Sequence, residues 1–127
     1  MRILVVDDDE ITRCLIEEAL LCAGHQVLVA ANGVSGMRLL SKEQPDLVIT
    51  DILMPDQDGL SLIMAVRRER PAAKIIAISG GGALGSLDLL MSARRLGADD
   101  TLTKPVMPDE LLESVNRFLR EDTVAAA

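Results

Sequence analysis

Short apolar runs alternate along the chain with longer segments in which apolar residues recur every three or four positions. The short runs are rich in β-branched residues and predict five strands, at 3–6, 27–30, 47–50, 75–78 and 101–103. The segments between them predict five amphipathic helices, at 10–23, 33–43, 58–69, 86–96 and 108–121. This alternation favours the α/β class, with a five-stranded parallel sheet in a three-layer αβα domain.

Glycines and prolines fall where the predicted helices begin or end, at Gly24, Pro45, Pro71, Gly97 and Pro108. A chain of 127 residues has room for one domain with one core. We expect that domain to span residues 1–121, and we expect residues 122–127 to form a frayed tail.

Composition narrows the classes of function. The chain is 49% apolar but has one aromatic residue, Phe118, so it lacks the surfaces on which bases or flavin rings stack. A net charge of −7 repels phosphate backbones and anionic lipid, which argues against direct binding to nucleic acid or membrane. The apolar run after Arg2 is too short for a signal peptide or a membrane span, so we expect a cytoplasmic protein.

Several residues receive a structural interpretation. Cys14 and Cys22 fall about 12 Å apart along the predicted first helix, too far for a disulfide, and we expect both to face the core. The sole histidine, His25, is expected to be a surface or loop residue. The arginines of the third and fourth helices are interpreted as solvated faces: Arg67, Arg68, Arg70, Arg94 and Arg95.

Polar side chains stand at the ends of four of the predicted strands. Asp7 and Asp8 stand at the end of strand one, Asp51 at the end of strand three, Ser79 at the end of strand four and Lys104 at the end of strand five. In open α/β sheets, ligands bind outside the carboxyl ends of the strands. We therefore expect these side chains to converge at one edge of the sheet.

Three carboxylates brought close together repel one another unless a proton or a cation compensates their charge. Oxygen ligands favour Mg²⁺, Mn²⁺ or Ca²⁺ over zinc, and Mg²⁺ suits a site with few carboxylates beside a phosphate. With Lys104 as a cation and Ser79 as a hydroxyl donor, such a pocket can clamp a transferring phosphoryl group, which a carboxylate accepts as an acyl phosphate. The same aspartates also have purely structural interpretations. The run Asp7 to Asp9 fits a helix cap, and Asp51 fits a turn.

The motifs that hold these residues resemble the receiver domain of two-component response regulators over residues 2 to about 121. The motifs are Val5-Val6-Asp7-Asp8, Asp51-Ile52-Leu53-Met54-Pro55 with Asp58-Gly59, Ser79, and Lys104-Pro105. The resemblance implies the flavodoxin-like strand order 2-1-3-4-5. It also implies a stand-alone response regulator of two-component signal transduction, in which phosphorylation switches protein–protein contacts.

The resemblance assigns the acidic residues their roles. Asp51 would be the phosphoacceptor. The side chains of Asp8 and Asp51 and the carbonyl of Leu53 would bind Mg²⁺, with Mn²⁺ as an alternative, and Asp7 would act through a water molecule.

It also assigns roles to Ser79, which would turn toward the phosphoryl group, and to Lys104, which would pair with it. The Lys104–Pro105 peptide would be cis. The donor would be a phosphohistidine on a sensor histidine kinase or a phosphotransfer protein, and the domain would catalyse both its own phosphorylation and the later hydrolysis. Output would reach a downstream protein through helix four, strand five and helix five.

Two features depart from the family pattern. Thr101 stands where receivers usually carry an aromatic residue that turns inward with the strand-four hydroxyl. The interval from Ser79 to Lys104 is a few residues longer than expected, and the surplus falls in the glycine-rich stretch 80–85. That stretch is interpreted either as a mobile connector or as a loop that Ser79 orders on phosphorylation, moving helix four.

Two other functions are also compatible with the sequence. A pseudo-receiver would keep this fold but act by docking or dimerisation without phosphorylation. A metal-dependent phosphatase would need another acid to activate water or the leaving group, for which Asp9 and Asp56 are candidates. The complete set of aspartates, serine and lysine favours the phosphorylation switch.

Overall fold

The computed structural model describes residues 1–52, 59–80 and 86–126. Strands and helices alternate through them as β1 (Arg2–Val6), α1 (Glu10–Cys22), β2 (Gln26–Ala30), α2 (Gly33–Glu43), β3 (Leu47–Asp51), α3 (Gly59–Glu69), β4 (Lys74–Ser79), α4 (Ser86–Leu96), β5 (Asp100–Thr103) and α5 (Pro108–Ala126). The predicted order of elements is confirmed. None of the helices within these residues is long and apolar enough to cross a membrane.

The strands form one parallel sheet in the order β2-β1-β3-β4-β5, as the resemblance implies. Asp51 at the end of β3 pairs with Ile78 of β4, and Ser79 at the end of β4 pairs with Thr103 of β5. β3 also pairs with β1, on the side away from β4. The carboxyl ends of β1, β3, β4 and β5 therefore lie next to one another. The residues at these ends are therefore brought to one edge of the sheet.

Each face of the sheet is covered by its own apolar core. Ile3 and Val5 of β1 pack with residues of α1 and α5, whereas Leu4 and Val6 pack with residues of α2, α3 and α4. Alternate residues of a strand point to opposite faces, so a strand with helices on both sides is apolar throughout. The predicted three-layer αβα arrangement is confirmed.

Gly59 lets α3 begin directly against the end of β3. Its N–H donates to the carbonyl of Ile52 at 2.7 Å. A Cβ atom at position 59 would lie 2.0 Å from the carbonyl oxygen of Asp51, so no other residue fits without a shift of backbone. The start of α3 thus fixes the backbone that carries Asp51.

Cys14 and Cys22 are both exposed, so the prediction that they face the core is wrong. The residues that α1 buries are Ile16 and Leu20. Cys14 lies two residues before Ile16, and Cys22 lies two residues after Leu20. At about 100° per residue, each cysteine therefore points to the opposite side of the helix.

His25 lies in a loop, as predicted, but it is buried rather than at the surface. The N–H of His25 donates to the carbonyl of Leu20, and the N–H of Gly24 donates to that of Leu21. These are the two bonds of a Schellman motif, which places the residue after its glycine against the last turn of the helix. His25 thus takes a position that apolar residues usually occupy.

Arg67 is not part of a solvated face, which corrects that interpretation. Its guanidinium donates to the carbonyls of Gly97, Pro71 and Ala73 and forms a short ion pair with Asp99. A Cβ at residue 97 would lie 2.7 Å from the Arg67 side chain, so the glycine makes room for it. Arg67 therefore ties α3 to the turn after α4.

Helix α5 continues to Ala126, whereas the sequence predicted a helix that ends at 121 and a frayed tail over 122–127. Residues 121–126 contain no glycine or proline, and the last of them are alanines, the best helix formers. Nothing in the sequence therefore stops the helix at 121.

Candidate functional site

Four predicted site residues converge at the carboxyl edge of the sheet. Asp7 directly follows β1, Asp51 and Ser79 are the last residues of β3 and β4, and Lys104 directly follows β5. Asp7, Asp51 and Ser79 are buried, and Lys104 is partly buried. The predicted convergence is observed.

Three carboxylates form the acidic part of this pocket. Asp7, Asp8 and Asp51 each offer an oxygen, and these oxygens lie within 4.8 Å of one another. Asp7 is fully buried and Asp51 is 4% exposed, whereas Asp8 lies at the surface. The cluster is thus open to solvent on the side of Asp8.

Lys104 supplies the positive charge of the pocket. Its Nζ lies 3.0 Å from Oδ2 of Asp51 and 3.2 Å from Oδ2 of Asp7. Burial acts to lower the pKa of Lys104, but the hydrogen bond and charge of Asp51, together with the charge of Asp7, outweigh it and raise the pKa. Lys104 is therefore a fixed cation between two carboxylates.

The surroundings of Asp7 raise its pKa. Burial, with a smaller contribution from the charge of Asp51, raises its pKa from 3.8 to about 6, against the opposing effects of the Asp9 N–H and Lys104. Its Oδ1 accepts the Asp9 N–H at 2.8 Å and the Lys104 ammonium at 3.4 Å, while its buried Oδ2 is paired with that same ammonium at 3.2 Å. Because Asp51 shares this one ammonium group, the three clustered carboxylates carry more negative charge than Lys104 compensates, which fits a divalent cation.

Asp9 belongs to a helix cap rather than to the acidic cluster. It is the N-cap of α1, where its side chain accepts the Ile11 N–H at 3.2 Å and the Thr12 hydroxyl at 2.6 Å. The Thr12 hydrogen bond is the main reason that the pKa of Asp9 is lowered. The helix-cap interpretation of the run Asp7 to Asp9 is thus confirmed for Asp9, whereas Asp7 and Asp8 belong to the acidic cluster. An Asp9 held in this way is poorly placed to be the second acid of a phosphatase.

Ser79 and Lys104 are linked through their backbones, because the N–H of Lys104 donates to the carbonyl of Ser79 at 2.8 Å. The Ser79 hydroxyl donates to the carbonyl of Gly80 at 3.3 Å, a long and weak bond. The Lys104–Pro105 peptide is cis, as the resemblance implied.

Some predicted features lie outside the described residues. These are the Leu53 carbonyl, Asp56 as a candidate second acid, and most of the glycine-rich stretch, residues 81–85. The roles predicted for them stay predictions.

A polar cluster that was not predicted surrounds Asp100, at the other end of β5. Its carboxylate accepts a hydrogen bond from Ser114 and lies 3.2 Å from Arg117 Nη2, both on α5, and 3.7 Å from Arg94 Nη2 on α4. Arg94 also donates to the hydroxyl of Thr101 at 3.2 Å. The residue at the usual aromatic position is thus bonded to α4. The three-residue spacing of Ser114 and Arg117 places them on one side of α5, which is the one signal that the sequence carried.

A parallel sheet with the strand order β2-β1-β3-β4-β5, with three acids and a lysine at its carboxyl edge, defines a receiver-type α/β domain. The family model for the response regulator receiver domain matches residues 3–116. The chain belongs to this family.

Its relatives include short and long proteins. The chemotaxis protein CheY of Bacillus subtilis is 34% identical over 119 residues, which cover 93% of this chain and 97% of that protein. The DNA-binding transcriptional regulator NtrC of Azospirillum brasilense is 38% identical over 125 residues, which cover 98% of this chain but only 25% of that protein. The chain thus spans a quarter of the length of NtrC.

The fold is also that of solved receiver structures. The crystal structure of a CheY-like response regulator receiver domain protein from Methanospirillum hungatei JF-1 matches with a TM-score of 0.89 and 31% identity. The match covers 98% of this chain and 97% of that one.

Proposed function

We propose that this receiver is a phosphorylation switch in which Asp51 accepts a phosphoryl group from a phosphohistidine. The observation that carries the proposal is the position of Asp51, 4% exposed, 3.0 Å from Lys104 Nζ and clustered with Asp7 and Asp8. Gathering buried carboxylates costs free energy. An aspartate that only stabilises a turn does not need a lysine and two further carboxylates beside it, whereas an aspartate that accepts a phosphoryl group does.

The cation that fits the pocket is Mg²⁺, with Mn²⁺ as the alternative. Asp8 and Asp51 would hold it directly, Asp7 would act through a water molecule, and the Leu53 carbonyl would complete the set. When bound, the cation would supply positive charge that draws the phosphoryl oxygens toward the acceptor and offsets the charge of the transfer.

The transfer itself needs one bond to form and one to break. A carboxylate oxygen of Asp51 attacks phosphorus, the P–N bond of the phosphohistidine breaks, and the imidazole leaves with the electron pair and takes up a proton. Lys104, now paired with Asp51, would pair with a phosphoryl oxygen. The Ser79 hydroxyl would exchange its weak bond to Gly80 for one to the phosphoryl group. Attack by water on the acyl phosphate would later restore Asp51.

The proposed partners are a sensor histidine kinase or phosphotransfer protein as the donor, and a protein that reads the α4, β5 and α5 surface. Support for that surface comes from β5. One of its ends is followed by Lys104, and the other carries Asp100 and Thr101, which contact Arg94 of α4 and Arg117 of α5. A change at the pocket therefore has a short path to both helices, along the backbone of β5 and then through these hydrogen bonds and ion pairs.

A labelling experiment tests the proposal. The protein is incubated with Mg²⁺ and acetyl phosphate, and its intact mass is measured. We expect one added phosphoryl group, lost in Asp51→Asn and retained in Asp109→Asn, which removes an exposed carboxylate of α5. A wild-type protein that folds but gains no phosphoryl group would favour the pseudo-receiver, and a label that survives Asp51→Asn would exclude Asp51 as the acceptor.

A further inference from the structure

Arg13, in the first turns of α1, reaches back to the strand that precedes the helix. Its Nη1 donates to the carbonyl oxygen of Asp7 at 2.9 Å, and its side chain is partly buried. The Asp7 carbonyl stands between two residues of the acidic cluster. Arg13 is thus the side chain that holds the backbone between Asp7 and Asp8.

Asp7 itself is fixed from several sides. Its N–H donates to the carbonyl of Ala30 on β2 at 3.2 Å. Its Oδ1 accepts the N–H of Asp9 at 2.8 Å, and Lys104 lies beside its carboxylate. With the carbonyl held by Arg13, the backbone of Asp7 is restrained at both its N–H and its C=O.

Asp8 has no such support of its own. Within the described part of the chain, its side chain takes part in no hydrogen bond or ion pair, and it is exposed. Its direction therefore depends on its backbone. Because a peptide group is planar, the carbonyl of Asp7 and the N–H of Asp8 turn together, and holding the first fixes the second.

We infer that Arg13 is a positioning residue, which orients the Asp7–Asp8 peptide so that the Asp8 carboxylate is aimed at the cation site. This inference rests on the proposed function, since it concerns the cation that the pocket would hold. Arg13 acts on the cation only through the peptide. Residues that orient metal ligands commonly change metal affinity tenfold or more when they are replaced.

The charge of Arg13 makes the inference testable by the sign of an effect. Arg13 is a cation near a cation site, so removing its charge alone would strengthen Mg²⁺ binding. Removing its hydrogen bond to Asp7 would free the peptide and weaken Mg²⁺ binding. The two effects oppose each other, and the inference requires the second to prevail.

The experiment measures Mg²⁺ affinity by calorimetry and the backbone amide resonances of Asp8 and Asp9 by NMR in EDTA. We expect Arg13→Met to bind Mg²⁺ roughly tenfold more weakly and to shift the Asp8 amide before any metal is added. Arg13→Lys, which keeps a charged donor, should recover part of the affinity. Arg38→Met, which removes an exposed arginine of α2, should match the wild type.

The outcomes separate the two proposals. A wild-type protein that does not bind Mg²⁺ would overturn the proposed function, and this inference with it. A wild type that binds, beside an Arg13→Met variant that binds as tightly or more tightly with an unchanged Asp8 amide, would overturn the inference alone. If circular dichroism shows that Arg13→Met does not fold, Arg13→Lys is measured in its place. A smaller loss of Mg²⁺ affinity with a smaller shift of the Asp8 amide would support the inference, and the absence of both changes would overturn it.

Discussion

Lys104 Nζ lies 3.0 Å from Oδ2 of Asp51, although 53 residues separate the two in sequence. The contact joins the residue after the edge strand β5 to the last residue of the central strand β3, across β4. It exists because the parallel strands end at the same edge. Lys104 also lies beside Asp7, so one ammonium group compensates two buried carboxylates.

Replacing Lys104 should therefore destabilise the metal-free protein. In Lys104→Met at pH 7 we expect the free energy of unfolding to fall by about 3 kcal/mol, because two carboxylates then stay buried without a counter-charge. Urea unfolding in EDTA measures this. Mg²⁺ should bind the variant more tightly than the wild type, since a competing cation has gone. Lys42→Met, at an exposed position of α2, should change neither quantity.

The raised pKa of Asp7 predicts a pH dependence of stability. An acid whose pKa is higher when folded, about 6 against 3.8, holds more protons in the folded state. Its contribution to stability is complete below the lower value and is lost as the pH rises through the higher one. In EDTA, Asp7→Asn should therefore become more stable relative to the wild type as the pH rises from about 4 to 7.

Thermal unfolding followed by circular dichroism, over that pH range, checks this expectation. Adding Mg²⁺ above pH 6 should restore the stability that the wild type loses relative to Asp7→Asn, because a cation stabilises the ionised carboxylate. A stability difference between wild type and Asp7→Asn that does not change with pH would contradict the assignment of the raised pKa to Asp7.

Gly59 should tolerate no side chain. A methyl group in Gly59→Ala would meet the Asp51 carbonyl oxygen at 2.0 Å, so α3 or the end of β3 must move. We expect a loss of about 2 kcal/mol or more in unfolding free energy, and a lower phosphorylation rate because Asp51 moves with its backbone. Gly80→Ala is the control for stability, since a Cβ at residue 80 would meet no atom within 4 Å. Equal losses of unfolding free energy in Gly59→Ala and Gly80→Ala would contradict the close approach of residue 59 to the Asp51 carbonyl oxygen.

Asp100 should be a structural anchor of the α4, β5 and α5 surface. In Asp100→Ala the buried hydroxyl of Ser114 loses its acceptor, and Arg94 and Arg117 lose their carboxylate. We expect the free energy of unfolding to fall by about 2 kcal/mol, whereas Asp109→Ala, at an exposed position, should cost much less. Chemical denaturation of both variants decides this, and similar losses would show that the Asp100 contacts are weak.

Most of the fold could be predicted, because buried parallel strands and amphipathic helices differ in apolar period and length. The convergence of Asp7, Asp51, Ser79 and Lys104 could also be predicted, since parallel strands share one carboxyl edge. The strand order could not be read from the apolar pattern, which is the same for every order of buried strands. It came from the resemblance.

The errors have two causes. The positions of Cys14 and His25 depended on which side of α1 faces the sheet and on how the helix ends. The partners of Arg67 are mostly backbone carbonyls, which leave no trace in the pattern of side chains. Arg13 was missed for the same reason, because its partner is the Asp7 carbonyl.

The position of the phosphoryl group in the labelled protein decides whether Asp51 is the acceptor. Protein treated with acetyl phosphate and Mg²⁺ is reduced with borohydride, which converts an aspartyl phosphate to homoserine, and its peptides are sequenced by mass spectrometry. We expect homoserine at position 51 and at no other aspartate. Homoserine at position 7 or 8 in place of 51, or none in a folded protein that binds Mg²⁺, would contradict it.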